Sequence, residues 1–226
     1  LPIPYPEYAI NIDMVADRQP EFFIERISYQ QNASLVSELW ELAENLNLKL
    51  QFEDSVGPII TPTITNSLNL DKVIQVENSR LMKVMDSIDL SRNLLEKEKS
   101  LIGFCGAPWT VLTYLINGTS TRDFQDTISW MHNNKTLAAE LLDVLTVLSI
   151  DYLSLQIEAG ADVIKIFDTW SGVLEREDFL NWVVQPTKNI ISAIKYKHKA
   201  VPVIGFPKGA KDFYEVYIDE TGVDII

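Results

Sequence analysis

The side chains best placed to do chemistry in this sequence lie in three short polar segments, each following an apolar run. The first is Gly103-Phe104-Cys105-Gly106-Ala107-Pro108-Trp109-Thr110, with Tyr114 shortly after it. If a helix begins at Pro108, Tyr114 lies almost two turns in, and helical side chains lean toward the N-terminus. Its phenol can then reach back to the loop rim and donate to an anion. A half-buried core tyrosine with a satisfied hydroxyl fits the same position. The second segment is Phe167-Asp168-Thr169-Trp170-Ser171-Gly172. A hydroxyl and backbone N–H groups at a strand terminus make a small carboxylate-binding nest. The alternative is an ordinary turn in which Asp168 caps backbone N–H groups. The third segment, Gly205-Phe206-Pro207-Lys208-Gly209, offers a lysine that could sit over an anion or be a solvated loop residue.

Other chemistries lack their residues. Zinc sites favour close spacings such as C-x2-4-C or H-x3-5-H. Here the nitrogen and sulfur ligands are His132, His198 and Cys105, far apart in the chain. No metal site is expected. The glycines at 103 and 106 are not a dinucleotide fingerprint, because the third glycine and the downstream acid are missing.

Positioning these segments requires alternating strands and helices. Ser100 to Cys105, Ala161 to Phe167 and Val201 to Phe206 are short, mostly apolar runs of strand length, and Val223 to Ile226 begins a fourth. Helices are expected between them: from Pro108 to a left-handed cap at Gly118, along the stripe Leu137, Leu141, Leu145, Leu148, Tyr152 and Leu155 to Gly160, and from Arg176 to Lys197. Pro186 should kink or split that last one. A further helix carries Phe213 and Tyr217 to Gly222. Upstream, a mixed helical pattern runs from Asp71 to about Lys99. Pro20 opens an amphipathic stretch with Phe22, Phe23 and Ile27 apolar, a helical run spans Leu35 to Leu46, and Leu48 to Phe52 alternates like a strand. Continuous apolar strands separated by long helices indicate a parallel α/β sheet covered on both faces. A barrel and an open doubly wound sheet both fit, and both bind ligands at the strand C-termini.

Composition narrows the partners. The chain of 226 residues is 46% hydrophobic and 23% charged, enough apolar surface for a packed core. Its formal charge of −13 disfavours nucleic acid. One cysteine permits no internal disulfide and suits a reducing cytoplasm. No apolar run reaches the ~18 residues of a membrane span. Leu1 in first place and Asp224-Ile225-Ile226, an apparent strand just begun, suggest a piece of a longer chain.

Taken together, four stretches resemble uroporphyrinogen decarboxylase: Leu101 to Thr110 with Tyr114, Gln156 to Asp162, Ile166 to Gly172, and Pro202 to Gly209. They stand in family order with family spacing, and the resemblance runs from about Phe52 to Ile226. It implies a (β/α)8 TIM barrel, incomplete here with about four barrel strands, in which residues 1–226 are a single partial domain. The implied activity is stepwise loss of carbon dioxide from the four acetate arms of uroporphyrinogen, giving coproporphyrinogen in haem biosynthesis. The family works as a cytoplasmic homodimer without metal or organic cofactor. The resemblance places Tyr114 and Thr169 on the tetrapyrrole substrate, with Phe167 and Asp168 lining the same pocket by adjacency.

The resemblance also has gaps. The family's N-terminal arginine pair, the aspartate that holds the pyrrole N–H groups, and the late histidine have no counterparts in this sequence. Either part of the natural chain is missing, or the chain is a catalytically inactive relative that binds porphyrin or serves as a dimerisation scaffold.

Overall fold

A computed structural model of the chain describes residues 21–23, 49–51, 63–64, 78–121 and 123–226. The chain divides into two compact units, one of Leu1–Asn11 with Ile59–Ile226, the other of Ile12–Pro58. In the smaller unit the described residues form two strands, β1 (Glu21–Phe23) and β2 (Lys49–Gln51), paired in parallel with Glu21 opposite Lys49. The strand expected around Leu48 to Phe52 is therefore present. Phe22 and Phe23, expected on an apolar helix side, are in a strand instead. A partner strand that takes up backbone N–H and C=O groups outweighs the helical spacing of three aromatic and aliphatic residues. The helical run of Leu35 to Leu46 lies outside the described residues.

Among the described residues of the larger unit the first helix is α1 (Asn78–Leu94). Then β3 (Ile102–Gly106) leads into α2 (Pro108–Asn117), α3 (Gln125–Asn133) and α4 (Lys135–Glu158), and the chain returns through β4 (Val163–Asp168). Next come α5 (Arg176–Phe179), a π-helical turn (Leu180–Val184) and α6 (Gln185–Lys197), followed by β5 (Val203–Pro207) and α7 (Tyr214–Thr221). Pro108 opens α2, and Gly118 closes it at φ 81°, its N–H on the Tyr114 carbonyl. Pro186 splits its helix as expected. A prolyl nitrogen cannot donate inside a helix, and the wider π turn sits immediately before it. The sequence pattern gave no sign of α3. It spans nine residues and buries only Thr127 and Met131, too few positions to set a period.

The strands pair in the order β3-β4-β5, all parallel, with Gly103 opposite Ile164 and Ile166 opposite Gly205. A bridge from Ile204 to Ile225 adds the start of a fourth strand at the same edge. The helices gather on one side. α4 packs along α6, and α6 along α7. Side-chain alternation shows what this does to the sheet. Cys105, Ile164, Ile166, Asp168 and Val203 are buried on the helix side, while Phe104, Lys165, Phe167 and Phe206 point the other way and stay partly exposed. Gly205 belongs to the buried set because Tyr217 of α7 lies against it: a Cβ there would come within 2.7 Å of the phenol oxygen. Strands in sequential order, with every crossover on one face, form an arc of a barrel whose open face is the interior. Removing Ile164, Ile166 and Val203 from water stabilises the layer by ~1.5–3 kcal/mol for each side chain.

α1 is stapled to the base of this arc. Arg92 Nη1 sits 2.6 Å from Asp162 Oδ2 and 2.9 Å from the Lys99 carbonyl oxygen, and the same carboxylate accepts the Leu101 N–H at 2.8 Å.

Candidate active site at the strand exits

The segments after β3, β4 and β5 meet at one end of the sheet and are tied to one another. Ala107 has no hydroxyl or carboxylate with which to cap α2. The next strand supplies the cap. Asp168 accepts a hydrogen bond at Oδ1 from the Thr110 hydroxyl, 2.6 Å away, and another from the Thr110 backbone N–H. The same hydroxyl oxygen accepts the Trp170 N–H at 3.2 Å, and the Trp109 indole N–H donates to the Trp170 carbonyl at 3.0 Å. These bonds fix the second exit against the first. Backbone groups join the second to the third: Gly172 N–H donates to the Lys208 carbonyl at 3.1 Å, and Lys208 N–H to the Asp168 carbonyl at 3.0 Å. Ser171 Oγ donates to the Asp168 carbonyl at 2.8 Å. The seam requires glycine at 172, because a Cβ there would lie 2.6 Å from the Gly209 carbonyl carbon.

Asp168 has no exposed surface, and its Oδ2 has no hydrogen-bond partner among the described residues. Burial pushes its carboxyl up to about 7, against the opposing pull of the Thr110 hydroxyl and N–H. Neighbouring groups feel the same dry layer. The Cys105 thiol is pushed up to about 12, chiefly by burial and further by the Asp168 charge, with a Ser149 hydrogen bond working against it. The Tyr217 phenol is raised by burial and then by Asp168. These groups lie on the helix side of the sheet and hold the exits from behind.

The open side is aromatic. Phe104 and Phe167 meet edge to face with ring centroids 5.5 Å apart, and Phe167 and Phe206 do the same at 5.7 Å. At the rim, Trp170 packs 4.9 Å from Phe124 and 6.5 Å from Tyr114. Phe124 is fully buried with φ at 52°, a left-handed conformation that a bulky residue adopts only when its surroundings impose it.

The sequence-derived candidates therefore fall into two groups. Tyr114 and the Thr169-Trp170 step lie at the same sheet end, with Tyr114 and Thr169 both partly exposed. Phe167 faces the barrel interior. Asp168, next to it, points to the opposite side of the strand and acts through Thr110. Lys208 joins the seam by its backbone, and its side chain is exposed. Three features escaped the sequence reading: the cap that Asp168 gives α2, the Phe124–Trp170 contact, and Lys165 on the interior face. Only the last had a visible signal, a lysine flanked on both sides by apolar residues. His132, His198 and Cys105 sit on α3, at the end of α6 and in β3, and the described residues hold no cluster of three metal-ligating side chains. A groove of about 490 Å³ runs past His132, Asp178 and Trp182, and none of the strand-exit residues lines it, although Trp182 stacks on Trp109 with ring centroids 5.4 Å apart.

Residues 24–226 match the uroporphyrinogen decarboxylase (URO-D) family. The chain belongs to that family. The match begins earlier than Phe52, where the resemblance of motifs starts, and reaches into the smaller unit. Uroporphyrinogen decarboxylase of Orientia tsutsugamushi (strain Ikeda) is 41% identical over 194 residues, covering 85% of this chain and 56% of the relative. That of Rickettsia bellii is 36% identical over 222 residues, covering 97% and 64%, and that of Chelativorans sp. 37% over 219 residues, covering 96% and 61%. The chain thus spans 56% to 64% of the length of these curated relatives. Among solved structures, a methyltransferase from Methanosarcina mazei superposes with a TM-score of 0.54 at 17% identity, over 79% of this chain and 50% of that one. This likeness concerns the fold. The family fold is the (β/α)8 TIM barrel, and β3, β4, β5 and the bridge at Ile225 are a partial arc of it.

For a member of the uroporphyrinogen decarboxylase family, this geometry offers an apolar aromatic floor, a phenol at the rim and exits locked in fixed relation. Such a surface can hold a flat apolar body and orient polar groups on its edge.

Proposed function

We propose that the chain provides part of the active-site face of a uroporphyrinogen decarboxylase, which removes the four acetate carboxylates of uroporphyrinogen stepwise as carbon dioxide to give coproporphyrinogen. The observation that carries this reading is the family match over residues 24–226; the Tyr114 ring, 6.5 Å from that of Trp170 next to Thr169, supports it. The chemistry asks little of a protein. A pyrrole protonated on the ring carbon beside the acetate arm accepts the electron pair released when the carbon–carboxylate bond breaks; the exocyclic methylene so formed takes up a proton to become the methyl group, and loss of the ring proton restores the pyrrole. The protein's part is to position the arm and stabilise charge. We assign Tyr114 and Thr169 as hydrogen-bond donors to the tetrapyrrole, Phe167 as part of its apolar floor, and Asp168 to the wall that holds Thr169 in place. The reading extends to a cytoplasmic homodimer that uses no cofactor, supported by family membership and the single cysteine.

A second reading is a scaffold that binds porphyrin without turnover. Turnover of uroporphyrinogen by the purified protein, followed by chromatography of the partly decarboxylated products, separates the two. Tyr114→Phe should lower kcat/KM about tenfold or more, in line with loss of a hydrogen bond to a charged group, with an unchanged melting temperature. Wild-type kinetics in that variant would remove Tyr114 from the site. Porphyrin binding with no decarboxylation would favour the scaffold.

A further inference from the structure

We propose that Lys165 is a carboxylate-binding residue in the floor of the cleft, taking one acidic arm of the tetrapyrrole. The inference rests on the decarboxylase reading and adds a residue to it. β4 runs Val163-Ile164-Lys165-Ile166-Phe167-Asp168, and Lys165 is the one ionisable residue on the face it shares with Val163 and Phe167. Alternation along the strand turns it away from the helices and onto the barrel-interior face, where Phe104 and Ile204 are its register neighbours. Its Cα lies two residues below that of Phe167, about 7 Å along the strand, a distance its four-carbon stem can span. The ammonium does come up to that level: Nζ lies 4.4 Å from the Phe167 ring centroid and 4.7 Å from that of Phe206. The charge is therefore carried to the aromatic layer next to the strand exits.

Two ring faces attract a cation but leave its three N–H donors unused. Among the described residues no carboxylate or carbonyl oxygen accepts from Lys165. Partial burial also lowers the basicity of the amine, which reflects a loss of hydration that an incoming anion can replace. The chemistry around it selects the kind of anion. Phe167 and Phe206 flank one ammonium with apolar rings, Phe104 packs against Phe167, and none of them brings a further donor. That suits a single carboxylate on a flat apolar body better than a phosphate, which calls on several donors at once. The location also bears on a problem of charge. A chain of formal charge −13 repels a polycarboxylate at long range, so capture requires cations inside the cleft.

The test compares Lys165→Met, which keeps the stem and removes the charge, with Lys165→Arg, which keeps the charge. KM and kcat are measured for uroporphyrinogen, and binding of uroporphyrin is followed by tryptophan quenching at low and high salt. Lys165→Met should raise KM about tenfold with kcat changed less than about threefold, the pattern of lost uniform binding. It should also weaken uroporphyrin binding by a similar factor and flatten its salt dependence, while Lys165→Arg stays within about threefold of wild type. Lys165→Gln replaces the Met variant if that protein does not fold. Wild-type KM, affinity and salt dependence in the uncharged variant would overturn the assignment and leave the decarboxylase reading intact, as would a loss of melting temperature alone. A wild-type protein that neither binds uroporphyrin nor turns over uroporphyrinogen would remove both.

Discussion

Replacing Asp168 by Asn gives the sharpest test of the buried layer behind the exits. The amide is nearly isosteric, and its oxygen can still accept from the Thr110 hydroxyl and N–H. What disappears is the titration. In the folded protein burial holds the Asp168 carboxyl at about 7, whereas in the unfolded chain it ionises near the ordinary 3.9. A raised carboxyl destabilises the fold as pH climbs. The unfolded chain sheds its proton first, so stability declines from about pH 4 and levels off above about pH 7. At about 1.4 kcal/mol per pH unit, the whole effect is about 4 kcal/mol. More than half of it falls between about pH 5 and pH 8. Urea unfolding of wild type and Asp168→Asn across that range isolates this one group, because every other carboxylate is common to both. The stability of the variant relative to wild type should rise with pH by about 2–3 kcal/mol. A pH-independent difference would mean that Asp168 is already ionised in the fold, and the account of a dry carboxyl would fall.

Two further outcomes follow from the packing. Gly172→Ala puts a methyl group 2.6 Å from the Gly209 carbonyl carbon, where only backbone can yield. It should destabilise the protein by about 1–3 kcal/mol or more in thermal or urea unfolding, and depress turnover through the displaced Thr169-Trp170 step. The Cys105 thiol, buried and held at about 12, should react with a thiol reagent only under conditions that unfold the protein. Rapid labelling of the native protein would contradict the burial.

The order of elements was largely readable from the sequence because each apolar strand is bounded by a strong signal. Pro108 and Gly118 frame α2, and strand ends fell within a residue or two of their expected places. α3 could not be read, since Thr127 and Met131 alone define no stripe, and the strand at Phe22-Phe23 depends on a partner some 28 positions away (Glu21 against Lys49). The site was legible as a set of strand exits and illegible as a set of contacts. Phe167 and Asp168 are neighbours in sequence, yet strand alternation sends one to the interior and the other behind the sheet. No local pattern announces that Asp168 caps a helix that starts some 60 residues earlier, since the Thr110–Asp168 bond spans 58 positions. Lys165 was legible as an anomaly, and became informative only when two phenylalanine rings were found around its ammonium.

The second and third exits are laced together mainly by main-chain atoms, with Gly172 and Lys208 each contributing peptide groups. Such a suture is indifferent to the side chains that project from it. Thr169 and Lys208 can be exchanged for other residues without slackening the rim, whereas the geometry between the two loops is inherited unaltered. A framework of this kind lets ligand preference diverge by point replacement on a fixed mount, and the same barrel outline can then persist in proteins that share little of their sequence.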